Sequence, residues 1–181
     1  IVRLLFHLLG DGYSGRKGDN ANYRNTCKEL LEEVKNDLRI FGDVPIYEQE
    51  FSIKFPRVLA EIIEKYYRVN SRTFDSTISD KIFQIPKINL YSGIKAFVDD
   101  EGTVYSSSIR ISSANFNLLL GIKEILSFLK IKTNEIGVQK NKKARFGKTY
   151  YLDIRDIEKY YQKVGFIHPK KKMLLEKYVK Y

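Results

Sequence analysis

The chain has one cysteine, Cys27, two histidines, His7 and His168, one methionine and no tryptophan. A single thiol excludes an internal disulfide framework, and one Cys with two His falls short of the four ligands of a structural zinc site. Its unbroken apolar runs, Leu4–Phe6, Leu8–Leu9 and Leu118–Leu120, are far shorter than the ~20 residues of a membrane helix. No small-residue cleavage site follows Ile1-Val2-Arg3, so a secretory leader is not expected. These absences predict an intracellular, cytoplasmic protein with no membrane partner. With 43% apolar residues in 181, wholesale disorder is excluded too.

What is present is positive charge. Lys and Arg number 32 against 22 Asp and Glu, a formal net charge of +10, and this favours polyanions. The cations cluster: Lys140, Lys142, Lys143, Arg145 and Lys148 fall close together, and Lys170-Lys171-Lys172 form a second group. Many of the 13 tyrosines stand beside cations, as in Tyr23-Arg24 and Lys148-Thr149-Tyr150-Tyr151. Such interleaving suits contacts to sugar, phosphate and bases, and equally suits a plain sheet.

The order of elements repeats. Residues 1–10 read as a buried strand or a packed helix, and 11–22 as a turn-rich, mobile stretch. Leu30, Leu31, Val34 and Leu38 keep helical spacing from Thr26 to Leu38, with Thr26 and Glu29 as a capping box. Residues 46–54 read as a strand, and a helix follows Pro56. After a polar connector over 71–87, residues 88–101 predict a helix, 104–112 a strand and 115–129 an apolar helix. A hairpin over 135–140 and 149–154 and a helix over 156–164 complete the series. Asp11-Gly12 and Glu101-Gly102 lie one period of 90 residues apart. This predicts an α+β fold of two αββαββα halves, residues 1–70 and 88–181.

Gly10-Asp11-Gly12-Tyr13-Ser14-Gly15 matches a dinucleotide-binding glycine pattern, but Arg16–Asn22 cannot open the helix that pattern needs, and Arg16 stands where a phosphate-binding loop has Lys. The more informative feature is the repeat. Asp11 and Glu101 each end an apolar segment just before a glycine. Two such helices side by side would place two carboxylates together, an arrangement a divalent cation between them relieves. Beside a basic surface, this chemistry points to metal-assisted phosphodiester hydrolysis.

Leu4-Leu5-Phe6-His7-Leu8-Leu9-Gly10-Asp11-Gly12 and Ile94-Lys95-Ala96-Phe97-Val98-Asp99-Asp100-Glu101-Gly102 resemble the two motifs of the single-chain LAGLIDADG homing endonucleases. The resemblance spans nearly the whole chain, and the second motif is the more specific. It implies a saddle of two pseudo-symmetric halves whose antiparallel sheets lie on DNA, with the motif helices forming the interface. It implies a monomer, associated with the nucleoid, that cuts both strands of a long asymmetric double-stranded DNA site. Asp11 and Glu101 would be the catalytic acids, holding Mg²⁺ (or Mn²⁺). Gly10 and Asp100, which precede them, complete the metal set this resemblance suggests. Asp100 stands where the family usually has Ala and is expected to perturb the field locally, while Asp99 resembles a structural Asp.

His7 is expected to be a packed or hydrogen-bonded interface residue. The third motif position, small in the family, is Ala96 in one copy and Phe6 in the other, so the helices are expected to spread or shift near Phe6. A basic residue near each acid is implied too: Lys54 in the first half, and Lys140 or Lys148 in the second, where the matching strand position holds Asp153. DNA contacts are expected from Arg16, Lys17, Tyr23, Arg24, Tyr47, Gln49, Tyr105, Ser107, Arg110, Lys140, Lys142, Arg145 and Lys148, with Arg110 and Gln49 suited to purine edges. The alternative is a catalytically inactive relative that binds DNA or RNA as a maturase or transcriptional regulator. Such relatives usually lose one acid, and this chain keeps both.

Overall fold

The computed structural model describes residues 1–71, 76–141 and 147–179. Within them, α1 (Val2–Leu9), β1 (Gly12–Tyr13), β2 (Ala21–Arg24), α2 (Lys28–Leu38), β3 (Tyr47–Gln49), β4 (Ser52–Phe55) and α3 (Arg57–Tyr67) form the first half. The second half repeats the series as α4 (Lys87–Glu101), β5 (Gly102–Tyr105), β6 (Ser108–Ser113), α5 (Phe116–Phe128), β7 (Gly137–Lys140), β8 (Lys148–Ile154) and α6 (Ile157–Lys163). It then adds α7 (Pro169–Val179). Each half holds one four-stranded antiparallel sheet, ordered β1-β2-β4-β3 and β5-β6-β8-β7. The α+β fold of two αββαββα units expected from the repeat is present, with α7 appended.

Boundaries moved where short hairpins hide in one stretch of alternation. The strand read over 46–54 is the β3–β4 hairpin, and Phe51 is an exposed turn residue rather than a member of the inward set Ile53 and Phe55. The strand read over 104–112 is likewise the β5–β6 hairpin, turning at Ser106-Ser107. The turn-rich 11–22 segment contributes β1 and the start of β2. The capping box is not formed: Cys27 is the N-cap of α2, its N–H donates to Asn25 Oδ1 at 2.9 Å, and its thiol donates to Glu29. At α5 and α6 the N-caps are the polar Asn115 and Asp156, whose side chains accept from Leu118 and Lys159 N–H groups.

The core runs through both halves, and its centre is the α1–α4 contact. α1 is apolar on nearly every side because it is enclosed by α2, α3 and α4. The helices are not spread at Phe6. α4 has a glycine at the point of contact, and a Cβ on Gly93 would stand only 2.6 Å from the Phe6 ring. The bulk on one helix is matched by its absence on the other, so close packing survives.

Gly12 and Gly102 occupy equivalent places, and neither has a positive φ. They are glycine because the strand leaves the helix so tightly that a Cβ would collide with Leu8 Cα in one half and with the Val98 carbonyl in the other. Close approach, not a left-handed cap, explains the repeated acid–glycine pair.

Candidate active site

The acids follow from this geometry. Asp11 follows Gly10, the C-cap of α1, and Glu101 is the last residue of α4, so the paired helices bring both within reach of one another's charge. Burial, and then the negative charge of Asp11 and of Asp100, raise the Glu101 carboxyl to about 7. Asp11 is raised to about 6 by enclosure and by Asp100. Three carboxyl groups gathered so that Asp100 raises both acids and Asp11 raises Glu101 are an arrangement that favours a cation.

Asp100 is not free to serve as a ligand. Its side chain is fully enclosed and reaches from α4 into the first half. One oxygen meets His7 Nδ1 at 2.9 Å, and the other accepts from the Tyr23 hydroxyl at 2.6 Å and from Asn25 Nδ2 at 3.4 Å. Burial alone would lower the proton affinity of His7, but Asp100 and Glu33 outweigh it and raise the imidazole to about 9, so it is a cation. Its other nitrogen meets Glu33 at 3.2 Å, and Arg3 binds both Glu33 and Asp37. His7 is thus the hydrogen-bonded interface residue expected, and Asp100 perturbs the field by raising both acids. Gly10 makes room for this: a Cβ there would lie 2.8 Å from Asp100 Oδ2.

Asn25 and Lys171, which the sequence does not single out as site residues, stand at the acids together with Asp99. Asn25 donates to Asp11 Oδ2 at 3.0 Å. Lys171, on α7, donates to the Asp99 carbonyl at 2.5 Å and approaches those of Val98 and Asp100, and its charge lowers the proton affinity of Asp11, Asp99 and Glu101. Asp99 accepts from the Ile167 and His168 N–H groups at 2.9 and 3.0 Å, which fixes the start of α7. Lys171 was legible only as part of a basic triplet; its place beside the acids depends on α7 folding back onto α4.

A cavity of about 680 Å³ opens here, lined by Asp11, Arg24, Asn25, Gln49, Asp100 and Lys171 among others. Strand alternation extends it outwards. In the first sheet, Asn22, Arg24, Tyr47, Gln49, Ser52 and Lys54 project from the face that the helices leave open, and in the second Thr103, Tyr105, Arg110, Ser112, Tyr151 and Asp153 do so. Arg16, Lys17 and Ser107 are exposed in the adjoining turns.

Several expected contacts fall elsewhere. Tyr23 is fully buried on the helix side of its sheet, with its hydroxyl committed to Asp100, so it is not a surface contact. Lys140 and Lys148 pair at the end of the β7–β8 hairpin with the wrong parity for the open face. The Lys148 ammonium lies 5.3 Å from the Tyr150 ring centre, and that ring packs on Phe116. Lys148 is therefore not directed at the acids. The register does align Lys54 with Asp153: Lys54 pairs with Asn22, and Asp153 with Arg110, the matching β6 position. Lys142 and Arg145 lie outside the described residues. Among the described residues no cluster of three or more His, Cys, Asp or Glu side chains is arranged to hold a metal.

No protein-family model and no curated protein matches the chain. Solved structures do. I-DmoI in complex with DNA and Ca matches over 97% of this chain and 96% of its own, at 16% identity and a TM-score of 0.58. I-DmoI in complex with DNA and Mn matches over 90% and 94%, at 18% identity and 0.56. The homing endonuclease I-WcaI bound to its DNA recognition sequence matches over 96% and 84%, at 14% identity and 0.56. The chain has the two-half fold of the LAGLIDADG homing endonucleases, as its motifs suggest. No helix among the described residues is long and apolar enough to cross a membrane.

Proposed function

We propose that this protein is a site-specific, divalent-metal-dependent endonuclease of double-stranded DNA, acting as a monomer on a long asymmetric site. The observation that carries this reading is the acid pair: one acid comes from each half, Asp11 lines a cavity continuous with a cation-bearing sheet face, and its charge raises the proton affinity of the buried Glu101. The likeness to homing endonucleases solved with DNA supports it.

The donor set fits a hard cation. Asp11 and Glu101 would offer carboxylate oxygens, the donors that Mg²⁺ or Mn²⁺ takes. Bound there, such an ion supplies Lewis acidity and an acidified water. The chain's own residues do the rest. Asn25 holds Asp11 in orientation, and Lys171 fixes the last turn of α4 and so Glu101. The open sheet faces would position the duplex, with Arg24, Lys54, Arg16 and Lys17 available to phosphates and Gln49, Tyr47, Tyr105 and Arg110 to bases.

Incubation with Mg²⁺ and the genomic DNA flanking its own reading frame is expected to give one double-strand cut. Asp11→Asn or Glu101→Gln should lower the rate at least ~10³-fold while DNA binding in Ca²⁺ persists. Undiminished cleavage by either variant would overturn the assignment.

A further inference from the structure

Arg110 sits in the middle of the second sheet's open face, and its neighbours fix its plane. Nε and Nη2 donate to the two oxygens of Asp153 at 2.7 and 3.0 Å. The guanidinium lies over the Tyr151 ring at 4.2 Å from its centre, with the Tyr105 ring at 5.7 Å. Asp153 is itself buried, its backbone N–H donates to Asn134 Oδ1 at 2.7 Å, and its carboxylate also meets Arg155 Nη2 at 3.5 Å, so burial and a second cation hold the buttress. Most surface arginines lose rotamer freedom when they bind; this one has already lost it.

A guanidinium has two edges that donate in parallel. Asp153 occupies the Nε–Nη2 edge, which leaves the Nη1–Nη2 edge open. That edge matches the O6 and N7 acceptors of guanine in the major groove. Asp153, shared with Arg155 at 3.5 Å, offsets part of the Arg110 charge and turns the free edge of the fork outward in a fixed plane. In the first half the same two register positions are Asn22 and Lys54, so this device belongs to one half only.

We propose that Arg110 is a specificity-determining residue that reads one guanine in the half-site bound by the second sheet, with Asp153 and Tyr151 as its positioning residues. This rests on the DNA-binding reading above. It also gives Asp153 a use at the strand position where the first half carries Lys54.

The test is selection of the full chain on a random-sequence duplex library in Ca²⁺, followed by sequencing. The wild type is expected to enrich one long motif containing a fixed G·C pair that depends on Arg110. Arg110→Gln, and Arg110→Lys, which keeps the charge but not the fork, should each relax that single position by roughly 5- to 100-fold and leave the others intact. Asp153→Asn should relax the same position. An unchanged motif in Arg110→Gln would overturn the proposal. So would uniform weakening across sequences with the salt slope reduced by about one, the mark of a phosphate contact. A wild type that enriches no motif would instead defeat sequence-specific DNA binding itself, so the two failures are distinguishable.

Discussion

His7 on α1 and Asp100 on α4 are joined at 2.9 Å across the boundary between the halves, and the bond has no mirror image. One period along the chain, the equivalent of His7 is Phe97 and that of Asp100 is Gly10. Two copies of one unit have thus become unequal at the interface that brings the acids together. Tyr23 and Asn25, whose register equivalents are Ile111 and Ser113, complete the asymmetry.

His7→Phe, which copies the second half, leaves Asp100 buried without its cation and Glu33 with Arg3 alone. A cost of about 3–5 kcal/mol is expected in urea unfolding near neutral pH. The sign of the pH dependence follows from a proton affinity raised from 6.5 to about 9. The imidazolium's contribution is complete below the unfolded value and is lost as pH rises through about 9. Wild-type stability should therefore decline across that window, and the decline should be absent in the variant.

Asp11 and Glu101 carry the same sign for stability, but their protons compete with a metal. Raised from 3.8 and 4.5 to about 6 and about 7, they favour the fold when protonated, and that contribution is lost as pH rises through those values. Without divalent ions, thermal stability should fall across this interval. Mn²⁺ should restore it above pH about 7 and have little effect near pH about 5, because a cation competes only with protons already released. Differential scanning with and without Mn²⁺ measures this.

Lys171→Met removes the ammonium whose charge holds down the proton affinities of both acids. The pH midpoint for Mn²⁺ binding should move upward, with affinity at neutral pH reduced roughly threefold to tenfold, the size of a shift of up to one pKa unit. Lys171→Arg should restore most of it. Titration of metal binding against pH separates this from a loss of fold, which would abolish binding at every pH.

Gly93→Ala places a methyl against the Phe6 ring and should cost about 1–3 kcal/mol. Phe6→Ala alone should cost about 3–5 kcal/mol through the cavity it leaves. Because the two changes share one space, the double variant should be clearly more stable than their sum predicts, as a double-mutant cycle will measure.

Much of this was legible in the chain itself. The spacing of Leu30, Leu31, Val34 and Leu38 fixes α2, and the 90-residue return of an acid–glycine pair marks the duplication and both acids. Those signals survive because helical periodicity and repetition are local or translational. Short hairpins were harder to see, since Ser106-Ser107 and Glu50-Phe51 are ordinary strand-compatible residues that turn only when pairing demands it.

What a sequence of this kind determines is which side chains are apolar at which period, and so two copies of one unit, each ending a helix in a carboxylate. Only the tertiary structure decided which charges meet. Whether Asp100 is a ligand or the partner of His7, whether Tyr23 faces solvent or Asp100, and whether the cation at the acids is Lys148 or Lys171 depend on strand parity and on α7 folding back over α4. Coulomb and hydrogen-bond energies turn on a few ångströms, and residues some 70 to 90 positions apart acquire such distances only through packing.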